Sequence, residues 1–292
     1  MAFTTRSAMH SDRQALKLLW KRVFLDSDEE IDTFFRFYFE PQMVVVVADN
    51  EDVPVAAGYV LPIGNLLCNE LSIPCAMIYS VATHPEYRNH GFGTSVVRDL
   101  ISIGFSKGFK TVVLSPSRDD LFEYYSSRTL FQDWFYVSER KYKTSPHLGN
   151  AVELSSITVN DYYRLREDLL SGIPHIEFDL PCLSYQLLLS RRFGGDLFRV
   201  DTPGGIGCAV VEKQSDGAVW VKELLTSNIC ETVALSAVAS MFPANEYLVR
   251  SPAFSKNLNS KTRRFGMLAS PDNLINIESL KTTSPYYGLA FD

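Results

Sequence analysis

Basic residues are in deficit: 28 Lys and Arg stand against 34 Asp and Glu, a formal net charge of -6 over 292 residues. A protein that grips a nucleic-acid backbone needs a basic footprint, so nucleic acid is not an expected partner. Metal-binding spacing is lacking too. The five cysteines (Cys68, Cys75, Cys182, Cys208, Cys230) form no C-x-x-C pair, and the five histidines (His10, His84, His90, His147, His175) form no H-x-x-x-H. Neither a zinc site nor a disulfide scaffold follows from such a set, and no metal is expected. A long apolar run is also missing. The longest charge-free stretch, Val53 to Asn69, is broken by Pro54, Gly58, Pro62 and Gly64, which excludes a membrane span there. Met1 to Arg22 holds no apolar signal-peptide core, so the expected location is cytoplasmic, away from membranes.

What is present is a globular composition, 46% hydrophobic and 12% aromatic. The length corresponds to about two domains. The period of the apolar residues predicts a first strand at Ala2–Arg6 and a helix from Asp12 to Phe24 capped by Ser11. A second helix follows from Asp28, with Ile31, Phe34, Phe35 and Tyr38 on one face, ended by Pro41. Strands are expected at Met43–Ala48, Val55–Ile63 and Ala76–Thr83, then a helix at Thr94–Ser106 and a strand at Thr111–Leu114. The order describes a mixed α/β domain over residues 1–143. Residues 144–150 have linker composition, and 151–292 repeat the element order without visible residue identity. The last strands of that half are expected at Phe265–Ala269 and Tyr286–Phe291.

One segment carries chemistry. A strand ending at Thr83 enters His84-Pro85-Glu86-Tyr87, then Arg88-Asn89-His90-Gly91-Phe92-Gly93, and a helix opens at Thr94. Backbone N–H groups of such a loop and of the helix's first turn form a concave anion site, and glycine lets an anion approach the backbone. The plain alternative is a Gly-rich turn without a ligand. A Walker loop would need Lys-Ser or Lys-Thr after the glycines, and a dinucleotide fingerprint would need Gly or Ala where Val96 stands.

The remaining pattern, Arg-x-x-Gly-x-Gly after a strand and a His-Pro lead-in, resembles motif A of the GNAT N-acetyltransferase superfamily. The resemblance implies tandem GNAT-like mixed sheets flanked by helices. It further implies acetyl-CoA as co-substrate, its pyrophosphate on Arg88, Asn89, His90, Gly91, Phe92, Gly93 and Thr94, and its pantetheine arm along Val81, Ala82 and Thr83. Arg88 and His90 could add charge, His90 counting mainly for its backbone. The implied reaction is direct attack by a primary amine on the thioester, with a tyrosine as general acid to the departing thiolate. Tyr125, in Leu121–Phe131, stands nearest the family's Tyr. The usual Gly is replaced by Thr129 or Leu130, so Tyr124 is the fallback, and an aromatic pair packing helix to sheet is the plain reading. Many members carry a Glu on the preceding strand, whereas Ile78–Ala82 hold no carboxylate. Deprotonation then falls to water held by Ser80 or backbone, or the amine arrives neutral, while Glu40, Glu70 and Glu123 read as solvated.

In the second half, Thr226-Ser227-Asn228 stand where a second motif A would lie, without a glycine pair. An active first copy and a degenerate second that helps wall the substrate cleft is similar to the first two domains of Eis-like acetyltransferases. At this length no room is expected for that group's third, sterol-carrier-like domain. The competing reading is a non-catalytic acyl-CoA-binding or sensing module. Acceptor amine and homo-oligomerisation stay open.

Overall fold

The apolar period alternates along the chain between two and about 3.6 residues, and strands and helices alternate with it. The structure, a computed structural model, describes residues 3–68, 70–143, 152–227, 231–254, 261–271 and 284–292. In chain order the elements are β1 (Thr4–Ser7), α1 (Arg13–Phe24), α2 (Asp28–Tyr38), β2 (Val44–Ala48), β3 (Pro54–Cys68), β4 (Leu71–Thr83), α3 (Phe92–Ser106), β5 (Thr111–Leu114) and α4 (Asp119–Arg128). They continue with β6 (Gln132–Tyr142), β7 (Glu153–Ser156), α5 (Val159–Leu169), β8 (His175–Phe178), α6 (Leu180–Arg192), β9 (Asp196–Thr202), β10 (Gly205–Lys213), β11 (Val219–Thr226), α7 (Glu231–Met241), β12 (Tyr247–Pro252) and β13 (Lys261–Ala269).

The chain divides into two units. The first takes the residues up to Ile63, then Ile73–Asp133 and the segment beginning at Met267; the second takes Gly64–Ser72, Trp134–Gly266 and the segment ending at Asp292. Each unit therefore draws on both halves of the sequence, and the expected linker 144–150 lies outside the described residues.

The first unit orders its strands β1-β2-β3-β4-β5-β13. Pairs β1–β2 and β2–β3 are antiparallel, β4–β5 is parallel, and the end of β13 closes β5 antiparallel from Met267↔Leu114 to Ala269↔Val112. Helix α3 covers this sheet with Val96, Val97, Leu100 and Ile101, which pack on Val45, Val47, Ala56, Val60, Ala76, Ile78 and Val112. The approach depends on Gly58, where an added Cβ would lie 2.8 Å from Leu100 Cδ1 and 2.9 Å from Val96 Cγ1. An aromatic cluster of Trp20, Phe34, Phe35, Tyr59 and Tyr79 joins α1 and α2 to strands β3 and β4, with ring centroids 4.6 to 6.1 Å apart across Trp20.

Local expectations meet two corrections. Ser11 does not cap α1. It lies in a 3-10 turn, His10–Asp12, and Asp12 holds the cap position. The Asp12 carboxylate accepts the Met9 N–H at 2.7 Å and a forked contact from Arg6 at 2.7 and 3.0 Å, which ties the turn to β1. Helix α2 starts where expected because Ser27 and Glu30 form a reciprocal capping box. The expected strand at Tyr286–Phe291 does not form; one bridge, His175↔Tyr286, is all that pairs there. Gly288 and Phe291 take positive φ, and buried Arg166 and Arg250 claim the carbonyls of Tyr287 (3.4 Å) and Gly288 (3.0 Å) that a ladder would have used.

The second unit repeats the first in topology. Its order β7-β9-β10-β11-β12 matches β1-β2-β3-β4-β5: α5 and α6 lie between β7 and β9, and α7 crosses over between the parallel β11 and β12. The core differs, for it holds charge. Arg166 and Glu223 are fully buried and meet at 3.0 and 3.3 Å, while Tyr162 donates to Glu223 at 2.6 Å and Arg166 donates to the Ile176 carbonyl at 2.8 Å. Removing one member strands the other charge without water. Arg166→Met should therefore cost about 3–5 kcal/mol, read as a large drop in the urea midpoint, and the Arg166→Met/Glu223→Met double variant should recover much of it. An unchanged midpoint in Arg166→Met would contradict this account of the second core.

Candidate active site

The site begins where β4 leaves β5. Their parallel register runs from Cys75↔Thr111 to Met77↔Val113, and β5 ends one residue later at Leu114. Beyond that point Ser80 sits at φ 49, a left-handed conformation in the middle of a strand for a residue with a Cβ. Such a kink turns the following backbone groups off the regular ladder. Tyr79, Ser80, Val81 and Thr83 are half-buried and Ala82 is buried, so the strand's end keeps contact with solvent. The His84 N–H bonds the Val55 carbonyl at 2.8 Å and anchors the exit to β3.

The loop that follows is pinned from below. Pro85–Tyr87 form a 3-10 turn, Asn89 takes φ 66, and Gly91 takes φ 79 as the N-cap of α3. Phe3 packs on Tyr87 (5.9 Å) and on Phe92 (4.6 Å), and the His90 ring stacks on Phe92 at 5.6 Å. His90 Nδ1 donates to the Arg88 carbonyl at 2.9 Å, so its imidazole serves the loop's own backbone, while Arg88 Nε reaches the Thr83 carbonyl at 3.4 Å. No side chain caps α3. The N–H groups of Phe92, Gly93 and Thr94 therefore lie at the positive end of a fifteen-residue helix without intrahelical acceptors. A Cβ on Gly91 would meet nothing within 4 Å, and one on Gly93 would face Tyr124 Oη at 3.6 Å and Thr83 Oγ1 at 3.8 Å. The space above the amides is open and its rim is polar. This arrangement can hold an anion.

Two adjacent tyrosines of α4 part company here. Residues one apart on a helix do not share a face, and Tyr124 and Tyr125 point to different surroundings. Tyr124 reaches α3, its hydroxyl 2.7 Å from Thr94 Oγ1, and the Arg128 guanidinium lies over its ring at 4.6 Å. Tyr125 packs its ring into the core beside Phe131 (6.4 Å) and is 8% exposed. Its hydroxyl makes no hydrogen bond among the described residues, yet it is not among the polar atoms sealed from solvent. Burial, with a smaller contribution from neighbouring Tyr124, pushes the Tyr125 phenol up to about 12. The pairing of Thr94 with Tyr124 across thirty residues had no signal in the sequence beyond the doubled tyrosine. Glu40, Glu70 and Glu123 take no part in this cluster.

The second unit handles the matching position differently. Its α7 opens on Glu231, whose buried carboxylate accepts from Tyr142 (2.6 Å), Arg140 (3.1 Å) and Ser251 (3.1 Å). A carboxylate already stands in the first turn of that helix. Of the expected counterpart loop, Asn228 lies outside the described residues.

Comparison with known proteins follows the geometry. Residues 4–128 match the sequence model of the acetyltransferase (GNAT) domain. A search of the curated proteins finds no match. Among solved structures, a GCN5-related N-acetyltransferase from Anabaena variabilis aligns with TM-score 0.68 and 16% identity over 91% of this chain and 72% of that one. Eis1 from Mycobacterium abscessus aligns with TM-score 0.62 and 9% identity over 92% and 73%. A GCN5-related N-acetyltransferase from Sphaerobacter thermophilus aligns with TM-score 0.55 and 14% identity over 92% and 95%. At these identities the likeness shows a shared fold along nearly the whole chain. The Arg88–Thr94 loop and the crossover helix it opens lie within residues 4–128, the stretch that resembles the acetyltransferase (GNAT) domain.

Proposed function

We propose that the first unit transfers an acetyl group from acetyl-CoA to a primary amine by direct attack. The observation that carries this reading is the open, uncapped amide cradle at the head of α3, beside the unpaired end of β4. Its residues suit the pyrophosphate of the co-substrate: Arg88 through Thr94 supply backbone N–H groups, and Gly91 and Gly93 keep side chains out of the way. Val81, Ala82 and Thr83 would pair their backbone with the pantetheine arm as a partial extra strand. The co-substrate brings an activated thioester. The cofactor and the chemistry are assigned to 1–143 and a second copy without a cradle to 151–292. Glu231 supports that division, because a phosphate at the head of α7 would meet its negative charge.

The chain's own contribution is to desolvate, orient and donate. An amine of pKa about 10.4 attacks only when neutral, and Ile78–Ala82 offer no carboxylate to take its proton. Water at half-buried Ser80, or delivery of the amine already neutral, fills that role. A β4 amide polarises the thioester carbonyl. Tyr125 is the donor to the leaving sulfur. Its hydroxyl has no internal partner to give up, whereas that of Tyr124 is engaged at α3. A phenol held near 12 keeps its proton throughout the working range. Against a thiol of pKa about 8.5 it acts as a hydrogen-bond donor that stabilises the thiolate rather than by complete transfer. The absent strand carboxylate also favours a second reading, an acyl-CoA sensor without turnover.

Three measurements separate these statements. Val at position 91 would be forced into the left-handed region, so Gly91→Val should weaken CoA binding by about tenfold or more in calorimetry. Undiminished affinity there removes the loop assignment. In a thiol-release assay over a panel of primary amines, Tyr125→Phe should lower kcat about a hundredfold with little change in KM for acetyl-CoA. If Tyr124→Phe rather than Tyr125→Phe abolishes turnover, the donor is Tyr124; binding without any turnover selects the sensor. In the wild type, kcat/KM should rise with pH as the amine loses its proton, and burial of Tyr125 should leave no falling limb from this phenol below about pH 11.

A further inference from the structure

Several guanidinium groups of this acidic chain are held by carboxylates. Arg6, Arg118, Arg140, Arg166, Arg199, Arg250 and Arg263 all meet carboxylates within 4.0 Å. Around the head of α3, Arg88, Arg98 and Arg128 make no such pair among the described residues. Arg98 stands one turn along α3 from Thr94, and Arg128 stands one turn along α4 from Tyr124. Both are exposed, and among the described residues neither makes an ion pair. They are nonetheless held in place. Arg98 Nε donates to the Arg128 carbonyl at 2.8 Å. Arg128 Nη1 donates to Ser127 Oγ at 3.0 Å, with a longer contact to the Tyr124 carbonyl at 3.5 Å, and its Cζ lies over the Tyr124 ring at 4.6 Å. Tyr124 in turn is fastened to the cradle by Thr94.

The result is two oriented cations joined to the head of α3 through Arg98's own helix and through Tyr124 and Thr94, each with guanidinium N–H groups still unbonded. Ordering two long side chains costs rotamer entropy, and bringing two cationic residues together through the Arg98–Arg128 contact costs Coulomb energy that an anion would relieve. A pyrophosphate on the amides already satisfies the head of α3, so this pair suits a further dianion on the same ligand. Guanidinium forks match phosphate monoesters in geometry and charge.

We propose that Arg98 and Arg128 form a second phosphate subsite that reads the ribose 3′-phosphate of the co-substrate, with Tyr124 as the positioning residue that couples the subsite to the cradle. The proposal rests on the acetyl-CoA reading above, and its test separates the two. The site thereby prefers a free coenzyme A thioester to a carrier whose pantetheine lacks that phosphate.

Calorimetry on the full chain with CoA and with 3′-dephospho-CoA decides it. Wild-type protein should bind CoA at least about tenfold more tightly than dephospho-CoA, the worth of one charge-assisted contact. Arg98→Gln and Arg128→Gln should each erode that ratio, and the double variant should bring it close to one by weakening CoA while leaving dephospho-CoA affinity where it was. Retained dephospho-CoA binding also reports that the variants are folded. Equal affinity for both ligands in the wild type, or an undiminished ratio in the double variant, overturns the subsite while the acetyl-CoA reading stands. No binding of either ligand to the wild type overturns both.

Discussion

Parallel pairing of β4 with β5 is the constraint from which the site follows. Two parallel strands cannot be joined by a tight turn; the chain must cross over, here through α3, and that places a helix N-terminus at the carboxyl end of β4. The helix is held close by its fit on Gly58, so its head cannot drift. Because the parallel register stops at Met77↔Val113, the strand that delivers the chain to the cradle also presents unpaired backbone next to it. Amides that need an acceptor and a strand edge that needs a partner thus arise from one topological choice. The left-handed Ser80 and Gly91 are local adjustments to it.

The second unit obeys the same constraint and reaches a different end. Its β11 and β12 are parallel, α7 crosses over between them, and the first turn of α7 again has N–H groups without intrahelical acceptors. There the chain's own Glu231 brings the negative charge, backed by Tyr142, Arg140 and Ser251. An internal carboxylate on three donors makes a rigid, closed corner. That unit also holds buried ion groups, Arg166 with Glu223 and Arg250 with Glu139 (3.1 Å). Burial works to raise the Glu139 carboxyl, yet hydrogen bonds from Arg263 and the charge of Arg250 outweigh it and hold the group below its ordinary range.

Much of this was legible in the sequence, and the parts that were not share a cause. Runs such as Val44–Ala48 and the Ser27–Glu30 box report their own structure because the interactions that fix them lie within a few residues. The Arg88–Thr94 loop was legible for the same reason, Gly91 recording a left-handed backbone. Ser11 failed as a cap because Arg6, from a neighbouring strand, recruited Asp12. Tyr286–Phe291 failed as a strand because two arginines far away in sequence took its carbonyls. The role of β13 in closing β5 has no local signature at all, since the pairing joins residues near 113 and 268.

The doubled tyrosine shows where sequence pattern must yield to geometry. A motif places an aromatic hydroxyl near the chemistry to within one residue, but one residue on a helix is a rotation of about 100°. That rotation sends Tyr124 to Thr94 and Arg128, and Tyr125 into the packed core with only its hydroxyl end at solvent. The two cannot exchange places without either opening the core at Phe131 or leaving Arg128 without its ring. Two phenols of the same chemistry are thereby divided by surroundings, one committed to holding the cradle and its cations, the other kept protonated and unpartnered. Thr129 Oγ1 donates to the Tyr125 carbonyl at 2.7 Å and accepts the Phe131 N–H at 3.2 Å, which closes α4 with a side chain where a glycine would have used backbone alone.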